Sequence, residues 1–260
     1  MRSSNYGKVK YEGMIFPTKQ NGDLEVLEYV SAKEVVIRFI GTGNTTKCAM
    51  VNILSGTVKD RLKPSVYGVG VVGEKYPLEN GKQSKEYNVW VRMLDRCYST
   101  HVGHTYKGCS VSENFKYYPY FKDWCYKQVG FGIAGFALDK DILSKGNKTY
   151  SEDTCCFVPQ EINNLFTNKK VKSNSIKTGV LFNERTKRYS VGFSKGNKTK
   201  HLGYYDNEQE ASLAYKQAKE SYIKEVAEKW KDKIDPRVYE ALMDWTISTC
   251  CLNIKQRVNQ

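Results

Sequence analysis

Apolar and polar positions alternate most clearly in two stretches of the chain. Near the N-terminus, VVIRFI places Val35, Ile37 and Phe39 on one face, and LEVLEYV and CAMVNIL repeat the period of two more loosely. Gly22, Gly41, Gly43 and Gly56 punctuate these runs. They predict a small all-β module over residues 1–80, an SH3-like barrel of about five short strands, left through RLKPSVYGVGVVG. Near the C-terminus, TGVLFN, RYSVGF and KHLGYY are separated by the turn-like ERTK and KGNK, which predicts a three-stranded meander. Tyr189, Val191 and Phe193 share one face of it, and Arg188, Ser190, Gly192 and Ser194 share the other. Asn207 and Glu210 then form a capping box, and Ala211, Ala214, Tyr215, Ala218 and Tyr222 recur at helical spacing. One amphipathic helix is therefore expected to cover the first face of the sheet.

Between these stretches the period becomes helical. EYNVWVRMLDRCY aligns Trp90, Met93, Leu94 and Cys97, with Asn88 as the expected N-cap. YYPYFKDWCYKQ predicts a second helix, with Pro119 near its start and Phe121, Trp124 and Cys125 inward. FALDKDIL, GNK, CCFVP and QEINNLF then read as strand, loop, strand and helix. The polar NKKVKSNSIK reads as a connector and marks a boundary near residue 171. Asp235 and Pro236 start a last helix with Tyr239, Leu242, Met243 and Thr246 inward, folding back on the central part, and the tail NIKQRVNQ is expected to fray. The chain is thus an α+β protein of three parts, residues 1–80, 81–170 and 171–260.

Charge narrows the partner. The 260 residues carry a net charge of +13. From Lys172 to Tyr204 there are eight Lys and Arg (172, 177, 185, 187, 188, 195, 198, 200) against the single acid Glu184, a local net of +7. Residues 1–79 hold 11 basic and 8 acidic residues, a net of only +3. Such a balance favours a polyanion, nucleic acid or an acidic membrane surface, and nothing points to a small-molecule substrate. No apolar run is long enough to span a bilayer, and MRSSNYGKVKYEG lacks the apolar segment of a signal peptide, so a cytoplasmic protein is expected. The eight cysteines are then expected to be free thiols, with the adjacent pairs Cys155-Cys156 and Cys250-Cys251 serving as small core residues.

A sheet with one face on a helix and a basic other face can lay its strands in a major groove, which makes double-stranded DNA the expected partner. GVLFN, RYSVGF and HLGYYDNEQEASLAY, with the alanine-rich helix that follows, resemble the Apetala-two (ethylene-response-factor) DNA-binding domain in its phage and mobile-element form. In the plant relatives, arginines and a tryptophan on the strands read the bases. The matching positions here are Leu181, Asn183, Gly192, Ser194, Thr199 and His201, and none is Arg. The cations stand instead at Arg185, Lys187, Arg188, Lys195, Lys198 and Lys200, in and around the turns, so phosphate contacts are expected to outweigh base contacts.

The order strand, loop, strand, helix in the middle part is similar to the ββα-metal unit of HNH endonucleases. W-x2-M-x2-RCY, LDKDIL-x2-GNK-Y and CCFVPQEIN also resemble the central region of the same phage proteins, so the likeness spans about residues 88 to 247. It implies a homing-endonuclease-type protein acting on the nucleoid of a bacterial host. The positions matching the catalytic motif are Asp139, Lys140, Asp141, Asn147 and Asn163. The His that normally serves as general base is absent from it, because His101, His104 and His201 all lie elsewhere. Asp139, Asp141 and Asn163 are oxygen donors suited to Mg2+ or Mn2+, and Lys140 to a phosphate. Alternatively, the aspartates make turn contacts and Asn147 caps a loop.

Cys97, His101, His104 and Cys109 are zinc-ligand types within thirteen residues. Their spacing is not that of paired knuckles, and Cys97 belongs to an apolar stripe, so buried thiols and loop imidazoles are the preferred reading. Three functions remain open on sequence: a DNA-binding protein that cleaves or nicks, a non-catalytic DNA-binding regulator, and an interaction or anti-defence protein whose positive face meets protein or RNA.

Overall fold

The structure is a computed structural model that describes residues 10–73, 78–166, 175–177, 179–196 and 198–247. It divides into two compact units, residues 1–125 with 148–152, and residues 126–147 with 153–260. The expected tail NIKQRVNQ, Cys250, Cys251 and Lys172 lie outside the described residues.

The first unit opens with β1 (Ile15–Pro17), β2 (Asp23–Ser31), β3 (Glu34–Phe39) and β4 (Thr45–Cys48), an antiparallel meander in the order β1-β2-β3-β4. The alternation read in VVIRFI is realised, with Val35, Ile37 and Phe39 buried. The expected barrel is not. Among the described residues β1 does not pair with β4, and the sheet stays open. CAMVNIL is strand only to Cys48 and then becomes α1 (Met50–Leu54), because Met50 and Ile53, three apart, suit one buried helical stripe. Those two side chains and Val58 fill the core that closure would otherwise have supplied.

The unit continues through β5 (Leu78–Glu79), β6 (Lys82–Gln83), α2 (Lys85–Tyr98), β7 (Ser110–Val111), α3 (Glu113–Lys116) and α4 (Tyr118–Tyr126). Helix α2 buries Trp90, Met93 and Leu94 as the spacing predicts, but it starts before Asn88. Ser84 is its N-cap, accepting from the Tyr87 backbone N–H at 3.4 Å, while the Asn88 amide donates back to the Ser84 carbonyl at 2.9 Å. Pro119 occupies the first turn of α4, and Phe121, Trp124 and Cys125 face inward. The Trp90 indole N–H donates to the Phe115 carbonyl at 2.7 Å, so the largest buried side chain leaves no unmet donor.

In the second unit β8 (Phe136–Asp139) pairs antiparallel with β10 (Cys156–Pro159), and α5 (Gln160–Phe166) packs on both. The intervening β9 (Thr149–Tyr150) belongs to the first unit, where it pairs parallel with β7. The second sheet has four strands rather than three, in the order β11 (Ser175–Lys177), β12 (Val180–Asn183), β13 (Arg188–Lys195) and β14 (Lys198–Tyr205). The end of the expected connector thus forms a strand. Backbone pairing to an edge requires no apolar alternation, so the sequence gives no sign of it.

Helix α6 (Glu208–Trp230) follows, N-capped by Asn207, whose side chain accepts from the Glu210 N–H at 2.8 Å. Then comes α7 (Pro236–Met243), N-capped by Asp235 as the Asp-Pro pair predicts, with Val238 and Leu242 buried. Thr246 lies exposed instead of inward.

The ββα elements and the C-terminal sheet share one core. Ile142, Cys156, Val158, Ile162 and Leu165 pack with Phe193, with Tyr222, Ile223 and Val226 of α6, and with Val238 and Leu242 of α7. Glu161 on α5 latches the end of α6, its Oε2 accepting from Lys229 at 2.6 Å and from the Trp230 indole at 2.8 Å. Among the described residues no helix is long and apolar enough to cross a membrane.

Candidate nucleic-acid interface and the loop after β8

Strands β12, β13 and β14 are joined by short turns whose chemistry is local. Asn183 Oδ1 accepts from the backbone N–H of Arg185 at 3.0 Å and of Thr186 at 3.2 Å, and Lys187 takes a left-handed φ of 53°. Val180, Val191 and Ala211 form a small core with Tyr189, Leu202, Tyr205 and Tyr215 against it, so the helix face is the expected one. Gly179 makes that contact possible. Its φ is +79°, and a Cβ there would stand 2.2 Å from the Tyr215 ring and 2.7 Å from the Gly192 carbonyl oxygen.

Register defines the other face. Opposed to Ser190 are Leu181 on β12 and Tyr204 on β14; opposed to Gly192 is His201; opposed to Ser194 is Thr199; and Asn183 stands opposite Arg188. Residues paired in register share a face, so these positions form one surface. Leu181 and Tyr204 are 38% and 56% exposed among the described residues. The His201 ring lies 4.9 Å from that of Tyr204. The positions singled out by sequence, Leu181, Asn183, Gly192, Ser194, Thr199 and His201, are thus brought together. Tyr204 was missed because a bulge between Val191 and Gly192 shifts β14 by one residue, turning Tyr204 and not Tyr205 outward.

The cations do not lie where a basic open face requires. Lys195 is opposite Lys198, and Phe193 is opposite Lys200, so all three lysines belong to the helix side of the sheet. Lys195 pairs with Glu225 of α6 at 2.7 Å, Arg188 with Asp206 at 2.7 Å and Lys187 with Glu184 at 3.2 Å. Arg185, Lys198 and Lys200 are exposed and make no ion pair among the described residues. The open face is therefore small, polar and partly apolar, and the free positive charge is at its rim. Exposed ion pairs of this kind contribute about 0–1 kcal/mol, so exchanging Glu225 or Asp206 for a phosphate costs little.

The second group of candidates sits after β8. Asp139 Oδ1 accepts from the Asp141 and Ile142 backbone N–H groups at 2.7 and 2.9 Å. Lys140 is buried, with Nζ donating to Asp141 Oδ1 and to the Asn147 carbonyl at 2.8 Å, and the Asn147 amide donates back to the Lys140 carbonyl at 2.9 Å. Four of the five candidates thus converge in one hydrogen-bonded loop. Asn163 sits on α5, and among the described residues no hydrogen bond joins it to them.

Burial holds the Asp139 carboxyl above the usual carboxylate range; its two backbone donors and Lys140 pull against this, and Asp141 adds to it. Burial also pushes the thiol of Cys156, its register partner across β8 and β10, well up. A hard cation would meet Asp139 Oδ2 and the second oxygen of Asp141, neither of which makes a hydrogen bond among the described residues. The Lys140 ammonium, held on Asp141, competes for the same charge.

Cys97 is half-buried on α2, His101 is exposed, His104 opens a short 3-10 turn, and Cys109 is buried. Among the described residues no group of three or more His, Cys, Asp and Glu is placed to hold a metal, and the six described cysteines are free thiols. No family model matches the chain, and neither a curated protein nor a solved structure matches it.

Proposed function

We propose that the chain binds double-stranded DNA, with the open face of β12, β13 and β14 toward a major groove and the rim cations on the flanking phosphates, as the Apetala-two resemblance implies. The observation that carries the reading is a sheet face exposed among the described residues, with Arg185 in the adjoining turn and Lys198 and Lys200 on the edge strand β14, none of the three in an ion pair among the described residues. A groove accommodates a ribbon of strands, and lysine and arginine at its edges meet the phosphates. The reading needs no cofactor and places the protein with the DNA of its cell.

Metal-assisted cleavage of a phosphodiester is the second reading, favoured by Asp139, a partly buried carboxyl held above its ordinary range, whose Oδ2 makes no hydrogen bond among the described residues. In it Asp139 and Asp141 would hold Mg2+ or Mn2+, which would supply charge stabilisation at the leaving oxygen. The binding reading stands first because Lys140 and Asn147 are committed to holding the loop together.

One paired assay separates the two. Gel retardation of duplex DNA by wild type and by Asp139→Ala is expected to be equal, because the sheet is elsewhere; absence of retardation in both would defeat the proposal. Nicking of supercoiled plasmid by wild type in magnesium, lost in Asp139→Ala and in chelator, would establish the second reading. Nicking that survives both would exclude Asp139 from it.

A further inference from the structure

Building on the DNA-binding reading above, we infer that the open face of the sheet recognises thymine through its 5-methyl group, and so prefers A·T-rich duplex. In the major groove guanine presents two acceptors met best by Arg or Lys, adenine is met by a bidentate Asn or Gln, cytosine offers a donor to a carboxylate, and thymine carries a methyl group.

The structure removes these options one by one. Lys195, Lys198 and Lys200 lie on the helix side. Arg188 stands at the end of the face, opposite Asn183, with its fork occupied, Nε donating to Asp206 at 2.7 Å and Nη2 to the Tyr204 carbonyl at 3.5 Å, so a bidentate pair with guanine would have to break both bonds. Asn183 has its carbonyl oxygen engaged by two turn amides, so a bidentate pair with adenine is closed to it. The strands carry no carboxylate on this face.

What remains is a row across the three strands, Leu181, Ser190 and Tyr204, in direct register. Two exposed apolar side chains flank a small one, and in the next rows Gly192 and Ser194 keep the surface low beside His201 and Thr199. A low floor between apolar walls accepts a methyl group and offers little to a guanine edge.

The test is fluorescence anisotropy with three duplexes of equal length at one salt concentration. One is A·T-rich, the second is the same sequence with uracil for every thymine, and the third is G·C-rich. Uracil keeps the pairing and removes only the methyl. The uracil duplex is expected to bind about fourfold more weakly per contacted methyl, the transfer value of one buried CH2 group. Leu181→Ser is expected to erase the difference between thymine and uracil while leaving the dependence on salt as in wild type. Tyr204→Ser serves as the second variant; both side chains are exposed, so neither change removes core. Tight but equal binding of thymine and uracil duplexes would overturn the methyl inference and leave DNA binding standing. Failure to bind any of the three would overturn DNA binding itself.

Discussion

Replacing Arg185, Lys198 and Lys200 together with Ala is expected to weaken duplex binding on the order of a hundredfold at low salt, and to make the salt dependence shallower by about three in log-log slope. These cations are exposed and make no ion pair among the described residues, so each can neutralise a phosphate without first breaking a contact. The comparison triple, Lys187→Ala, Arg188→Ala and Lys195→Ala, is expected to lose less, because those residues leave Glu184, Asp206 and Glu225 to bind phosphate. Neither triple should shift the melting transition much, since exposed positions away from caps and cores change stability by about 0.5 kcal/mol or less. Duplex affinity unchanged in the first triple would place the footprint elsewhere on the chain.

Gly179→Ala is expected to destabilise the second unit by about 2–4 kcal/mol, through a left-handed backbone that an alanine resists and an overpacked contact. The added Cβ would meet the Tyr215 ring at 2.2 Å and a backbone carbonyl oxygen at 2.7 Å, and the carbonyl cannot rotate away. Helix α6 would have to lift from the sheet, loosening the contact of Ala211 with Val180 and Val191. For a unit of this size the midpoint should fall by roughly 5–15 °C in calorimetry. Gly196→Ala is the control. It shares a positive φ of 61° but has nothing within 4 Å of its Cβ, so it carries only the backbone penalty. Equal melting of Gly179→Ala and wild type would mean that the sheet and helix do not meet as described.

The sequence was most informative where short-range chemistry decides the outcome. Asn207 as N-cap, the Asp235-Pro236 pair and the alternation through Tyr189, Val191 and Phe193 each act within a few residues and are found in place, although the return bond of a capping box, from the Glu210 carboxylate to the Asn207 N–H, is not formed among the described residues. Asn88 misled because Ser84, four residues earlier, is an equally good cap, and the apolar stripe of α2 does not show which one starts the helix.

The barrel failed for a longer-range reason. Alternation predicts strands but not closure, and Met50 and Ile53 fit a helical stripe as well as a strand. Least legible was the pairing of charges. Lys195 faces Glu225 thirty residues away, and a one-residue bulge exchanged Tyr205 for Tyr204 on the open face. The local net charge therefore overstated how basic that face is. The common core of the ββα elements and the C-terminal sheet was also hidden, since an apolar stripe on α6 does not name the surface it will cover.

The central claim, that this chain holds duplex DNA by its backbone, is tested most directly by measuring wild-type affinity for one duplex across a range of salt concentrations. Neutralising about six phosphates should make log K fall against log salt with a slope of roughly −5. A slope near zero, or no measurable binding at low salt, would contradict it.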